Sequence, residues 1–180
     1  ESFENLKFSI SSKAEIDYLN NVSKEIAKDI KQATKKKKFK TIFGNRGSAA
    51  DAQDWAAKLT YTYKSKERDP FLAKALTTDT SILPVWSNDV SFNDVFRRQF
   101  FALAFLNDLI ICLSTLGASF NFFSALKETK KYNVKTVLIL GASAKDNNFV
   151  DLLIKFNSTD TPTIQILTHM LYHSVCEFLE

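Results

Sequence analysis

Short, uninterrupted apolar runs alternate along this chain with segments whose apolar residues recur every three or four positions. The runs predict five strands, at Phe39–Phe43, Ala73–Leu76, Leu109–Leu113, Val134–Leu140 and Leu152–Phe156. The periodic segments predict helices at 13–34, Ala49–Leu59, Ser91–Leu106, Phe122–Lys131 and Thr163–Leu179. Strands that are apolar at every position, with helices between them, are typical of a parallel sheet covered on both faces. The alternation therefore predicts an α/β fold.

The organisation of the chain is simple. Its 180 residues, 45% of them hydrophobic, suffice for one core, and no repeat or linker divides them. We therefore expect a single domain over residues 1–180, with residues 1–35 as an N-terminal helical extension. At the last helix, Thr161 is expected to cap the N-terminus and Pro162 to occupy the first turn.

The charge pattern argues against a nucleic-acid-binding protein. Much of the formal net charge of +4 comes from the run Lys35–Lys38 together with Lys40, directly before the first predicted strand. Such a run is typical of a solvated helix end or loop. The chain also has sixteen Phe, many of them clustered, which is more than one small core requires. We therefore expect a subunit interface.

The two cysteines and the hydropathy pattern restrict the remaining classes. Cys112 falls in a predicted buried strand and Cys176 in a predicted helix, without the spacing of a metal motif, so we expect neither a disulfide nor a cysteine-ligated metal. No apolar run of about 18 residues is present, and no signal peptide opens the chain. We therefore expect a cytoplasmic location and no membrane span.

Two turns combine Gly with Ser or Thr between a predicted strand and a predicted helix. The first contains the sequence GNRGSAADAQ (44–53), and the second contains STLGAS (114–119). Such a turn directs main-chain N–H groups and hydroxyls toward a ligand at a helix N-terminus, where anions are stabilised. Because both turns follow strands of one predicted parallel sheet, they favour a phosphorylated ligand at its carboxyl edge. The hydroxyls could instead serve only as helix caps.

Several motifs in order resemble the phosphoheptose isomerase branch of the sugar isomerase (SIS) family. These are GNRGSAADAQ (44–53), ALTTDTS (75–81), FRRQ (96–99), STLGAS (114–119) and STDTPTIQ (158–165). The match extends from about Phe39 to Glu180. The resemblance implies a three-layer αβα sandwich with a five-stranded parallel sheet, and a homotetramer whose sites lie between subunits. It also implies isomerisation of sedoheptulose 7-phosphate to the aldose phosphate used for surface heptose.

The resemblance also assigns residues to the site. It implies phosphate contacts from Ser48, Ser114, Thr115 and Ser119, and places Asn45 and Asp79 in the lining. Arg46 stands where the family has a glycine, so this side chain either contacts the phosphate or fills the space that glycine leaves open. Gln165 and His173 match two of the family's zinc ligands on the last helix, and Gln165 is also a candidate contact to the substrate.

The other two zinc-ligand positions differ from the family pattern. Asp54 replaces a His, and Lys58 replaces the Glu that also serves as the catalytic base. A lysine is a poor base unless burial lowers its pKa by several units. An ammonium about 4 Å from a divalent ion is repelled by roughly 8 kcal/mol at an effective dielectric near 20. The remaining set of Asp54, Gln165 and His173 is rich in oxygen, so no cofactor is expected, zinc is doubtful, and weak or lost activity is predicted.

Alternatives to a catalytic site remain open. Asp54 and Lys58 are spaced i, i+4 and could form only a helical ion pair. His173 is a candidate acid/base or a hydrogen-bonded interface residue, and His169 is predicted to be structural. The departures also suit a non-catalytic SIS protein resembling the replication-initiator-associating protein, a tetramer that binds the initiator DnaA.

Overall fold

The computed structural model describes residues 13–103, 109–144 and 149–180. Its helices are α1 (Lys13–Lys35), α2 (Gly47–Thr60), α3 (Ile82–Trp86), α4 (Val95–Leu103), α5 (Phe120–Thr129) and α6 (Thr161–Leu179). Its strands are β1 (Lys40–Gly44), β2 (Ala73–Ala75), β3 (Leu109–Leu113), β4 (Lys135–Gly141) and β5 (Leu152–Phe156). The strands form one all-parallel sheet in the order β2-β1-β3-β4-β5. The predicted three-layer αβα sandwich is confirmed.

Helices cover both faces of the sheet because successive side chains of each strand point to opposite sides. Ile42 and Ile111 face a layer built from α1, α2 and α6, and belong to the larger core cluster. Phe43 and Ile110 face the other way, toward α4 and α5. Both sides of the central strands are therefore buried, which explains their continuous apolar sequences.

Most predicted boundaries agree with the structure. The bounds of β3 and β5 are those predicted, and β1 begins one residue later. In the predicted helix Ser91–Leu106, regular α-helix begins only at Val95, after a π-helical and a 3-10 turn, and its last three predicted residues lie outside the described ranges. Helix α3 was not predicted.

The last helix corrects one expectation. Asp160, not Thr161, is the N-cap, and its Oδ2 accepts a hydrogen bond from the Thr163 N–H at 3.0 Å. A carboxylate in this position also stabilises the positive end of the helix dipole. Pro162 lies in the first turn as predicted.

The lysine run lies at the end of α1, as predicted, with Lys35, Lys36 and Lys37 exposed. Lys40 differs from them, because it is fully buried at the start of β1, where its Nζ donates to the Lys38 carbonyl at 3.0 Å. Over the described residues, no helix has the length and apolar character needed to cross a membrane.

Candidate functional site

The first turn joins β1 to α2 at the carboxyl edge of the sheet. Arg46 precedes the helix with φ 54° and ψ −122°, a left-handed conformation that favours glycine. A Cβ on Gly44 would lie 2.6 Å from the Leu113 main-chain oxygen and 2.7 Å from the Ser48 Cβ. Glycine therefore lets β1, β3 and the start of α2 come close together, where the N–H groups of Ser48 and Ala49 donate to the Asn45 and Arg46 carbonyls at 3.1 and 3.0 Å.

The second turn joins β3 to α5. Gly117 has φ 64°, and its N–H donates to the Ser114 Oγ at 3.2 Å. Ser119 is the residue before α5, and its side chain makes no capping hydrogen bond. Its hydroxyl is therefore not used to cap the helix.

One cleft of about 420 Å³ opens between the two turns. Seven of the eight predicted ligand-binding residues line it: Asn45, Arg46, Ser48, Ser114, Thr115, Ser119 and Gln165. Among the described residues of its lining, Arg46 is the only charged one, so the cleft is polar and positive. Gln165 comes from α6, where its amide lies against Gly47 in the space a Cβ would fill.

Asp79, the eighth predicted residue, is not in the lining of this cleft. Its Oδ1 accepts hydrogen bonds from the N–H groups of Ser81 at 3.0 Å and Ile82 at 2.8 Å, at the start of α3. These main-chain donors hold the pKa of Asp79 below its ordinary value. In this structure Asp79 orders a turn, and its contact with a ligand stays a prediction.

The two turns are linked by a reciprocal pair of amide hydrogen bonds. Asn45 Nδ2 donates to Asn121 Oδ1 at 2.8 Å, and Asn121 Nδ2 donates to Asn45 Oδ1 at 3.0 Å. Asn121 is 1% exposed, so its amide cannot easily find water in place of Asn45. Sequence reasoning missed Asn121, because nothing in the sequence distinguishes it from an exposed helical Asn.

The second group of predicted residues lies between α2 and α6. Lys58 Nζ donates to Asp54 Oδ1 at 2.9 Å, which confirms the predicted i, i+4 ion pair. Tyr172 OH donates to the other carboxylate oxygen, Oδ2, at 2.6 Å. Burial acts to raise the pKa of Asp54, but the hydrogen bonds from Tyr172 and Lys58 outweigh it and lower the pKa. Each oxygen of the Asp54 carboxylate therefore accepts one side-chain hydrogen bond.

Both histidines of the chain lie beside this ion pair. The rings of His169 and His173 stack with centroids 4.5 Å apart, and Tyr63 OH lies 3.0 Å from His173 Nδ1. Burial, together with the nearby His169 and Lys58, lowers the pKa of His173. His169 Nδ1 lies 2.6 Å from Tyr172 OH and 3.7 Å from Asp51 Oδ1.

The structure adds His169 to two of the three predicted metal ligands. Ligand atoms of Asp54, His169 and His173 all lie within 4.8 Å of one another. Gln165 lines the cleft and also a neighbouring cavity with His169, and its part in a metal site stays a prediction. Two imidazoles and a carboxylate are suitable ligands for zinc. His173 Nε2 is buried and has no hydrogen-bond partner among the described residues. The donor atoms thus fit a divalent metal, and the Lys58 ammonium on Asp54 is the group that opposes it.

His169 was predicted to be structural, and Tyr172 and Tyr63 were not considered. The i, i+4 spacing of the two histidines on one helix carried the signal for a shared site. The sequence did not reveal the position of Asp54, which lies next to the two histidines only because α2 packs on α6.

Comparisons with known proteins give a consistent result. The SIS domain family model matches residues 11–141. The phosphoheptose isomerase of Campylobacter concisus is 46% identical over 143 residues, which cover 77% of this chain and 74% of that protein. That of Pelobacter propionicus is 38% identical over 157 residues, covering 87% and 82%.

Solved structures agree on the fold. A phosphoheptose isomerase from Francisella tularensis superposes with a TM-score of 0.80 at 22% identity, covering 99% of this chain and 98% of that one. One from Neisseria gonorrhoeae superposes with a TM-score of 0.71 at 27% identity, covering 92% and 95%.

Proposed function

This chain belongs to the phosphoheptose isomerase family of SIS-domain proteins, and we propose that it binds a sugar phosphate in the cleft between its two Ser-containing turns. The observation that carries the proposal is the convergence of Ser48, Ser114, Thr115 and Ser119 on one cavity beside Arg46. Two helix N-termini, hydroxyl donors and one guanidinium are complementary to a phosphate dianion.

The proposed substrate is sedoheptulose 7-phosphate, whose isomerisation to an aldose phosphate supplies heptose for surface lipopolysaccharide. The reaction moves a proton between neighbouring carbons and needs a base beside the sugar. Lys58 stands where the family has its base, and its Nζ is engaged with Asp54 Oδ1 at 2.9 Å. We therefore propose weak or absent turnover, with His173 as the candidate acid/base for any residual activity.

We also propose that the protein acts as a homo-oligomer, with a tetramer as the expected state. Large apolar side chains are exposed in the segments from α3 to the start of α5: Val85, Val90, Phe92, Leu116 and Phe120. Phe92 and Leu116 also line the cleft. A second subunit that covers this surface would close the cleft and remove apolar area from water.

A binding experiment and a turnover experiment test these proposals separately. Calorimetric titration with sedoheptulose 7-phosphate should show binding to the wild type, roughly tenfold weaker binding to Ser114→Ala, and no change for Ser65→Ala. Ser65 is a matched control because it is an exposed serine in the segment that follows the C-terminus of α2. The cleft lies at the opposite end of that helix. Absence of binding by the wild type would overturn the sugar-phosphate proposal.

Turnover is followed by NMR with a zinc-dependent phosphoheptose isomerase assayed alongside. Conversion far slower than that enzyme's is the expected result. Conversion at a comparable rate would refute the argument from Lys58.

A non-catalytic regulatory role is the second candidate. The Asp54–Lys58 ion pair favours it, because an ion pair has replaced the base that catalysis requires. Retention of the replication initiator DnaA by the immobilised protein, without sugar-phosphate turnover, would support this role. Failure to retain it would leave only sugar-phosphate binding.

A further inference from the structure

A row of lysines runs along the C-terminal half of α1. Lys24, Lys28, Lys31 and Lys35 are spaced by three or four residues, so they lie on one face of the helix, and all four are exposed. At a helical rise of about 1.5 Å per residue, the row is about 16 Å long. It leads into the lysine run at the end of the helix. This face is therefore far more positive than the formal net charge of +4 for the whole chain suggests.

The row borders a groove. The four lysines line a hollow of about 450 Å³ between α1 and the end of α6, together with Ala27 and Phe178. A second hollow of about 430 Å³ adjoins the first, because Gln32 lines both. Leu109 and Lys135, which begin β3 and β4, line the second hollow. The two hollows, here named the lysine groove, thus reach the amino edge of the sheet, opposite the cleft.

Two carboxylates also line the lysine groove, and both are engaged within the protein. Asp29, whose side chain is 5% exposed, forms an ion pair with Lys135 Nζ at 2.7 Å. Asp151 Oδ2 accepts hydrogen bonds from the Thr136 N–H at 2.7 Å and from its hydroxyl at 2.8 Å. Neither carboxylate therefore neutralises the lysine row of α1.

The lysines of the groove differ in their contacts. Lys31 Nζ donates to the Phe178 carbonyl at 2.8 Å, and Lys24 Nζ lies 5.5 Å from the centroid of the Phe178 ring. Three other exposed lysines of the groove form no ion pair with a carboxylate of the described ranges: Lys28, Lys35 and Lys36. These three ammonium groups are available to an anionic ligand.

The lining of the groove narrows the class of anion. A membrane-binding helix needs large apolar side chains on its outer face, and α1 exposes none after Tyr18. Single-stranded nucleic acid is bound by stacking bases on open aromatic rings. Phe178 is the only aromatic side chain among the described lining residues, and the Lys24 ammonium already lies over its ring. No arginine lines the groove to form bidentate phosphate contacts. An acidic protein segment requires none of these features.

We propose that the lysine groove docks an acidic segment of a partner protein. Carboxylates of the segment pair with Lys28, Lys35 and Lys36, while its apolar side chains rest against Ala27 and Phe178. Charge complementarity supports this occupant, since it sets both the specificity and the association rate of such contacts. Exposed ion pairs are individually weak, so the affinity depends on several together and falls with added salt. The groove lies away from the cleft, so this inference does not depend on sugar-phosphate binding.

The test uses a fluorescent synthetic peptide of about 15 residues in which Glu and Leu recur with helical spacing. Fluorescence anisotropy at low salt should show saturable binding to the wild-type chain. The triple variant Lys28→Gln/Lys35→Gln/Lys36→Gln should bind at least about tenfold more weakly. The matched control is Lys13→Gln/Lys66→Gln/Lys127→Gln, which removes the same charge from exposed lysines outside the groove. It should bind like the wild type, and equal affinities of the two triple variants would overturn the groove as the site.

Variants of the peptide test the nature of the occupant. A peptide with Gln in place of every Glu should not bind, and one with Ser in place of every Leu should bind more weakly than the parent peptide. Binding that is unchanged by either replacement would overturn the proposal. Tighter binding of a single-stranded oligothymidylate, or of vesicles of anionic phospholipid, at the same ionic strength would also overturn it, as would a failure of the wild type to bind the peptide.

Circular dichroism of both triple variants separates loss of the docking surface from loss of fold. Calorimetric titration with sedoheptulose 7-phosphate is run on the same samples and should give the wild-type result for both. Peptide binding without sugar-phosphate binding would refute only the proposed function, and the reverse result would refute only the docking surface.

Discussion

Replacing Arg46 with glycine is expected to stabilise the fold. A non-glycine residue at φ 54° and ψ −122° costs roughly 1–3 kcal/mol. Glycine avoids that cost but loses more chain entropy on folding, by roughly 0.5–1 kcal/mol. The free energy of unfolding should therefore rise by roughly 0.5–2 kcal/mol in Arg46→Gly.

Urea unfolding measures this change as a higher midpoint at an unchanged slope. For a chain of this length, each kcal/mol also raises the melting temperature by roughly 2–4 °C. Arg46→Ala is the matched control, because it loses the guanidinium but keeps a Cβ in the same backbone conformation. It should remain within about 0.5 kcal/mol of the wild type.

A second control is Asn133→Gly. Asn133 has φ 51° and ψ 42°, a left-handed conformation that asparagine tolerates, so glycine should bring a smaller gain there. If Arg46→Gly were no more stable than Arg46→Ala, backbone strain at the first turn would be refuted.

Three further predictions concern the elements around the cleft. Gly44→Ala should lower the free energy of unfolding by roughly 1–3 kcal/mol, because its Cβ would collide with the β3 main chain; an unchanged urea midpoint would contradict this close approach. Asn121→Ala should lower the free energy of unfolding by roughly 1–3 kcal/mol. The Asn45→Ala/Asn121→Ala double variant should lose less stability than the two single variants together, and additive losses would show that the amides do not interact. Hydrogen bonds from the Thr163 hydroxyl and N–H hold the pKa of Asp160 below its ordinary value of 3.8. The stability that the ionised Asp160 contributes is therefore complete above pH 3.8 and is lost as the pH falls below that value. Asp160→Asn should flatten the acidic part of the plot of urea midpoint against pH, and an unaltered plot would exclude the charge effect.

The sheet could be predicted from the sequence because its strands are apolar on both faces. The run Leu109–Leu113 is buried at every residue, so burial alone fixes its bounds. Helix α3 escaped prediction, since it is short, contains Pro84 and has no buried residue to give an apolar period. The cap of α6 was placed one residue late because both Asp160 and Thr161 are good capping residues, and only the main-chain conformation distinguishes them.

The cleft was easier to predict than the cluster beside it. Its residues follow two strands that are neighbours in the sheet, so strand order alone brings Ser48 and Ser114 together. Asp54 and His169 meet only through the rotation of α2 against α6. That rotation depends on buried contacts such as the stacking of Trp55 on Tyr172, with ring centroids 5.5 Å apart, which no periodicity encodes.

The reciprocal amide pair of Asn45 and Asn121 has a consequence for affinity. Separating the two turns would leave two amides unsatisfied, one of them almost wholly buried, so the distance between the turns is set before any ligand arrives. A phosphate bound in the cleft as proposed would meet turns that are already ordered, so the protein would lose little conformational freedom on binding. Its association should be as fast as diffusion and desolvation allow, without a slow closing step.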